Sequence, residues 1–97
     1  MTTPDTITLG TETLPRVTPC AGRDVTWCVE YRTQTPRLEA DLDAFALTVC
    51  GDGAWIVEVS SQFADYGGAQ GTEPTAALAQ RRCVLVLAAL LAPLEGA

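Results

Sequence analysis

Lysine, histidine and asparagine do not occur anywhere in these 97 residues. Without histidine, Ser-His-Asp and Cys-His nucleophile arrangements are excluded, as are His-ligated metal sites. Without lysine, every side-chain cation is one of six arginines, set against twelve acids for a net charge of −6. Using arginine for every cation while avoiding residues with AT-rich codons points to a GC-rich bacterial or phage genome. Only Arg81 and Arg82 are adjacent. A chain with so little clustered positive charge cannot replace phosphate counterions along a backbone, so direct nucleic-acid binding is not expected.

Other absences narrow the setting. "MTTPDTITLG" has no basic segment followed by an apolar one, so no signal peptide is expected. The apolar run Cys83 to Ala92 falls short of the ~20 residues that span a bilayer, and Pro93 follows it. A soluble cytoplasmic protein with no membrane partner is the expectation, and there its four cysteines remain thiols. Cys20, Cys28, Cys50 and Cys83 form no C-x-x-C pair, so no metal site is expected. The acids are scattered, with Glu39, Asp41 and Asp43 the only tight group. Solvated surface is the simpler reading of them, and mimicry of a phosphate backbone is the alternative.

What is present is enough for a single domain, which at this length buries about 65% of the unfolded chain's surface. Residues 1–23, rich in Thr, Pro and Gly, read as an irregular arm or a weak hairpin in which "TITL" pairs with "TLPRV"; residues 24–97 read as the α+β domain. "DVTWCVEYR" alternates, with Val25, Trp27, Val29 and Tyr31 on one face and Thr26, Cys28, Glu30 and Arg32 on the other, as a half-buried strand does. "TQTPRLEADLD" holds Pro36 and a charge cluster and reads as a loop, with room for one helical turn at its end.

"FALTVCGDGAWIVEV" predicts a hairpin whose register follows from its side chains. A three-residue loop, Gly51-Asp52-Gly53, sets Val49 opposite Trp55, Leu47 opposite Val57 and Phe45 opposite Val59, so that every large apolar group shares one face. A two-residue turn would mix Glu58 into that face. The longer loop also puts Gly53 where a bulged type I turn needs positive φ.

A helix is predicted from Thr72, as N-cap, to about Ala92, with Pro93 ending it. Ala76, Ala79, Cys83, Leu87, Leu90 and Leu94 form a stripe suited to packing on the sheet. Leu78, Leu85, Ala89 and Ala92 form a second, opposite stripe flanked by Arg81 and Arg82. One helix on one small sheet has a single interface, so the second stripe needs another cover: a twofold mate, the N-terminal arm or a different protein. Leu78, Arg81, Arg82, Leu85, Ala89 and Ala92 are therefore the candidate self-association residues, and a homodimer is the expected assembly. The outer sheet face, with Thr26, Cys28, Thr48, Cys50, Ile56 and Glu58, is the candidate surface for a protein partner.

No catalytic, cofactor-binding or metal-binding residue emerges. Cys83 beside Arg82 lies mid-helix on the core stripe and reads as a small buried hydrophobe. Cys28 and Cys50 share the outer face and read as ordinary strand residues, with a thiol-based sensor or enzyme as the alternative. "EADLD" lacks the glycine and distal glutamate of a calcium loop. "YGGAQGT" leads into a helix start, where free amides attract anions, but lacks a phosphate-binding lysine and reads as a flexible approach. Trp27 and Trp55 fall on predicted core faces.

The order strand, strand, strand, helix, with "DGAWIVEV" followed by "AQGTEPTAALAQRR", resembles the HicB-like antitoxin domain over about residues 52–82. The resemblance implies a small partner toxin and an oligomer. It departs from that pattern in having no appended DNA-binding segment and a long linker between the first two strands. The outline is also similar to a double-stranded RNA-binding domain, but Glu73, Pro74 and Thr75 stand where such a domain needs lysines. The expected fold is two-layer α+β, an antiparallel sheet of three or four strands packed on one C-terminal α-helix. The expected function is that of a small, non-enzymatic, acidic accessory or inhibitor protein acting through protein-protein contacts.

Overall fold

The computed structural model describes residues 5–30, 36–42, 45–59 and 68–95, and side chains as far as residue 91. Its elements in chain order are β1 (Thr6–Leu9), β2 (Glu12–Pro15), β3 (Val17–Cys20), β4 (Arg23–Thr26), β5 (Cys28–Glu30), β6 (Arg37–Leu42), β7 (Phe45–Cys50), β8 (Ala54–Val59), β9 (Ala69–Thr72) and α1 (Ala76–Glu95). The class is α+β with antiparallel sheets and one C-terminal helix, as expected. The sheet composition differs: β5 to β9 make one five-stranded sheet in sequence order, while β1-β2 and β3-β4 are separate two-stranded hairpins.

The hairpins close through turns that their residues favour. Gly10 takes φ of 64° at the start of the two-residue loop between Leu9 and Glu12, the position a type II′ turn reserves for glycine. Ala21 and Gly22 both take positive φ between Cys20 and Arg23, as a type I′ turn requires. "TITL" does pair here, with Ile7 opposite Leu14. The alternation of the next segment also holds, with Val25 and Trp27 buried and Thr26 and Cys28 exposed. It is divided, however, because Trp27 is the residue at which the chain leaves the β3-β4 hairpin and joins the large sheet. Tyr31 and Arg32 of that pattern lie outside the described residues.

Two segments expected to be loops are strands. β6 occupies most of "PRLEADLD": Leu38, Ala40 and Leu42 are buried while Arg37, Glu39 and Asp41 face out, and Leu38 pairs with Val49 of β7. β9 occupies "AQGT", where Gly71 lies opposite Trp55 and a methyl group at its Cα would press on the indole ring. The β7-β8 register is the one argued from side chains, with Val49 opposite Trp55, Leu47 opposite Val57 and Phe45 opposite Val59. Gly53 takes φ of 97° in that loop.

One face of the large sheet is the core. α1 crosses it over β7 and β8, and the hairpins lie beside the helix, with β4 against β6 and β1 against β5. Leu9, Leu14, Cys20 and Val25 from the hairpins join Leu38, Leu47, Val49, Trp55 and Val57 in a single apolar cluster. Trp27 is fully buried and satisfies its ring N–H by donating to Thr18 Oγ1 at 2.9 Å.

The helix start differs from expectation. Thr72 belongs to β9, and Thr75 supplies the cap, its Oγ1 accepting from the Leu78 amide at 3.2 Å. Glu12, from the first hairpin, accepts from the Ala76 and Ala77 amides at 2.8 and 3.2 Å. A carboxylate there satisfies two orphan donors and meets the positive end of the helix dipole. Nearby, the buried Gln80 donates from Nε2 to the Pro15 carbonyl at 2.9 Å. At the other end, α1 continues through Pro93 to Glu95 rather than stopping at Ala92.

Candidate functional site

Two surfaces expected to carry contacts can now be placed. On α1, the core stripe is Ala76, Ala79, Cys83, Leu87 and Leu91, each no more than 2% exposed. Leu90 of the expected stripe is half-buried, and the side chain of Leu94 lies outside the described residues. The opposite stripe is open. Leu85 is 61% exposed and Leu78 41%, with Arg81, Arg82 and Ala89 exposed between and beyond them. The Ala92 side chain lies outside the described residues.

The N-terminal hairpins answer part of the covering problem and leave the rest. They pack on the flank of the helix that carries Gln80 and Val84, where Cys20 Sγ donates to the Val84 carbonyl at 3.6 Å. Leu78 and Leu85 stay exposed with the hairpins in place. With Arg81 and Arg82 exposed between them, they therefore face solvent on this chain.

The second surface is the outer face of the sheet. Cys28, Glu39, Thr48, Ile56 and Gln70 lie side by side in one cross-strand row. Asp41, Ala46 and Glu58 form the next row, and Glu30, Arg37 and Cys50 the row on the other side. The structure thus brings Cys28, Thr48, Cys50, Ile56 and Glu58 onto one face. Thr26 is separated from them, because it belongs to β4 and pairs with Val17 in the second hairpin. Glu39 and Asp41 belong to this face and were missing from the expected set, since their segment read as a loop; the alternation Arg-Leu-Glu-Ala-Asp-Leu is the signal that identifies it.

Small side chains make the middle of this face a trough. Ala46, Thr48 and Cys50 of β7 form its floor, Arg37, Glu39 and Asp41 of β6 one wall, and Ala54, Ile56 and Glu58 of β8 the other. Arg37 Nε donates to Glu39 Oε2 at 3.1 Å, so the arginine's charge is matched within its own wall. Among the described residues, Asp41 and Glu58 are in no ion pair. At the Glu58 end of the β8-β9 pair, a recess of about 490 Å³ is lined by Ile56, Glu58, Val59, Gly68 and Gln70 among others.

Two of the four thiols, Cys83 and Cys50, are held toward the protonated form by their surroundings. Burial pushes the Cys83 thiol up to about 12, with the nearby Cys20 adding to the rise and a backbone hydrogen bond at Thr48 partly offsetting it. Its Sγ donates to the Ile56 carbonyl at 3.8 Å. Cys50 is raised by burial first and by Asp52 second, against a lowering by Arg37. Cys28 and Cys50 are on strands with β6 between them. That places them two strand spacings apart, about 10 Å, too far for a disulfide.

Among the described residues, no three His, Cys, Asp or Glu side chains gather as a metal-holding group. No helix among them is long and apolar enough to cross a membrane. The helix amides considered for anion binding already receive the Glu12 carboxylate. Trp27 and Trp55 are buried packing residues, and Trp55 Nε1 donates to Glu73 Oε2 at 3.1 Å. Comparison with family models, curated proteins and solved structures finds no match.

Proposed function

We propose that this chain is a non-enzymatic protein-binding module, an accessory or inhibitor protein of bacterial or phage origin that works through protein-protein contacts as a homodimer. The observation that carries the reading is the open helix stripe, 61% exposed at Leu85 even with the hairpins docked beside it. Covering the stripe contributes on the order of 5 kcal/mol at ~25 cal/mol per Å². A twofold antiparallel contact centred on Leu85 sets Leu78 against Ala92 and Arg81 against Ala89 of the mate. The small alanines allow close approach. The two Arg81 residues are then eight helical positions apart, about 12 Å along the axis, beyond the ~8 Å screening length at physiological salt. An antitoxin-like neutraliser of a small toxin, which the HicB-like resemblance implies, is a special case of the same reading.

Light scattering tests it. The wild-type chain is expected at twice its 10.3 kDa mass, and Leu85→Glu is expected to reduce it to the monomer with an unchanged circular dichroism spectrum. A dimer that survives the substitution rejects this stripe as the interface, and a wild-type monomer rejects the pairing itself.

A further inference from the structure

The outer face of the sheet has a chemistry of its own, set by rows rather than by any one residue. β7 offers only Ala46, Thr48 and Cys50 to this face, so a chain lying along it meets a shallow floor of small side chains. The two walls differ at their two ends. At the Arg37 end, positive and negative charge are matched by the 3.1 Å contact with Glu39. At the Ala46 end, Asp41 and Glu58 face each other across the floor in one row, both exposed and in no ion pair among the described residues.

Dimensions decide what fits between them. Strands two apart are separated by about 10 Å, and each carboxylate reaches roughly 3 Å beyond its Cβ. With both carboxylates turned inward over Ala46, the gap between them is about the width of one guanidinium or ammonium group, which could donate to both. Next to that point, Ile56 offers apolar surface for a neighbouring side chain, and the open, mixed-polarity recess of about 490 Å³ at the β8-β9 end leaves room beside it. A lone inorganic cation uses only the carboxylates. A basic polypeptide uses the carboxylates, the floor and the recess together.

We propose that this trough docks a basic segment of a partner protein, with an arginine or lysine held between Asp41 and Glu58 and an adjacent apolar side chain against Ile56. The inference rests on the reading of the chain as a protein-binding module and adds the chemistry of the partner. Complementary charge of this kind sets specificity and encounter rate more than affinity, so weak, salt-sensitive binding to a short segment is expected.

The test uses the full-length ¹⁵N-labelled chain and two capped peptides, Thr-Val-Arg-Val-Thr and Thr-Val-Glu-Val-Thr, titrated to millimolar concentration. The arginine peptide is expected to shift amide resonances of β6, β7 and β8 saturably, less so as salt is raised, while the glutamate peptide leaves them in place. Asp41→Asn and Glu58→Gln, both exposed and therefore safe for folding, are each expected to weaken binding about fivefold, the upper range for exposed ion pairs. Four results overturn the inference: no shifts with the arginine peptide, equal shifts with both peptides, binding unaffected by either substitution, or the same shifts from calcium chloride alone. Light scattering of the same samples separates this proposal from the helix pairing. Peptide binding by a monomer overturns the pairing alone, and a dimer blind to the peptide overturns the trough alone.

Discussion

The two long faces of α1 are built from the same few residue types and end in opposite environments. Ala79, Cys83, Leu87 and Leu91 are sealed against the sheet, whereas Leu78, Leu85 and Ala89 look outward with two arginines beside them. Hydrophobicity alone does not distinguish Leu87 from Leu85. The difference lies in what the rest of the chain brings over: β7 and β8 beneath one face, β2 and β3 along a flank, and nothing among the described residues above the other face. The inward stripe belongs to folding, and the outward one is available for association.

Substitution by alanine sharpens that contrast most. Leu87→Ala removes a fully buried side chain and is expected to cost about 3 kcal/mol in urea unfolding, as core truncations do. Leu85→Ala is expected to change the stability of the dilute chain by less than about 0.5 kcal/mol. Comparable losses at both positions would erase the distinction between the faces.

A smaller effect is expected where the hairpins grip the helix. Glu12→Gln keeps the shape and removes the charge that faces the Ala76 and Ala77 amides, and a loss of about 1 kcal/mol is expected, in the range of capping and dipole effects. Unchanged stability would mean that the hairpins are held by apolar packing alone.

The smallest effect concerns the thiols on the two sides of the sheet. At neutral pH, iodoacetamide is expected to modify the exposed Cys28 and to spare Cys83 until the protein unfolds. Folding keeps Cys83 protonated, so this thiol's contribution to stability is complete below about pH 9 and declines as pH rises toward 12, because the unfolded chain ionises first. Rapid labelling of Cys83 in the native protein would show that the helix lifts from the sheet.

How much of this was readable in advance depends on where the deciding interactions lie along the chain. The β7-β8 register was legible because its partners are adjacent and a slip would expose Leu47 and Val57 together. Cys83 and Leu87 on the core stripe were legible from helical spacing. β6 was missed because Pro36 and four charged residues outweighed the alternation of Leu38, Ala40 and Leu42, and with β6 went Glu39 and Asp41 of the candidate face. β9 was missed because glycines and a glutamine signal a turn, while the need for Gly71 arises only once the Trp55 ring lies against it. Glu12 could not be assigned at all. Its partners are 64 and 65 positions away, and nothing local marks it as a cap.

That last contact has a consequence for the order of assembly. A ribosome delivers the first hairpins well before the amides that Glu12 will hold, so Leu9, Leu14 and Cys20 must wait without their helix until α1 has emerged. Closure of this domain is therefore a late, long-range event, slower than its short hairpins alone would suggest. During synthesis, the early strands are the part of the molecule most exposed to sticking elsewhere.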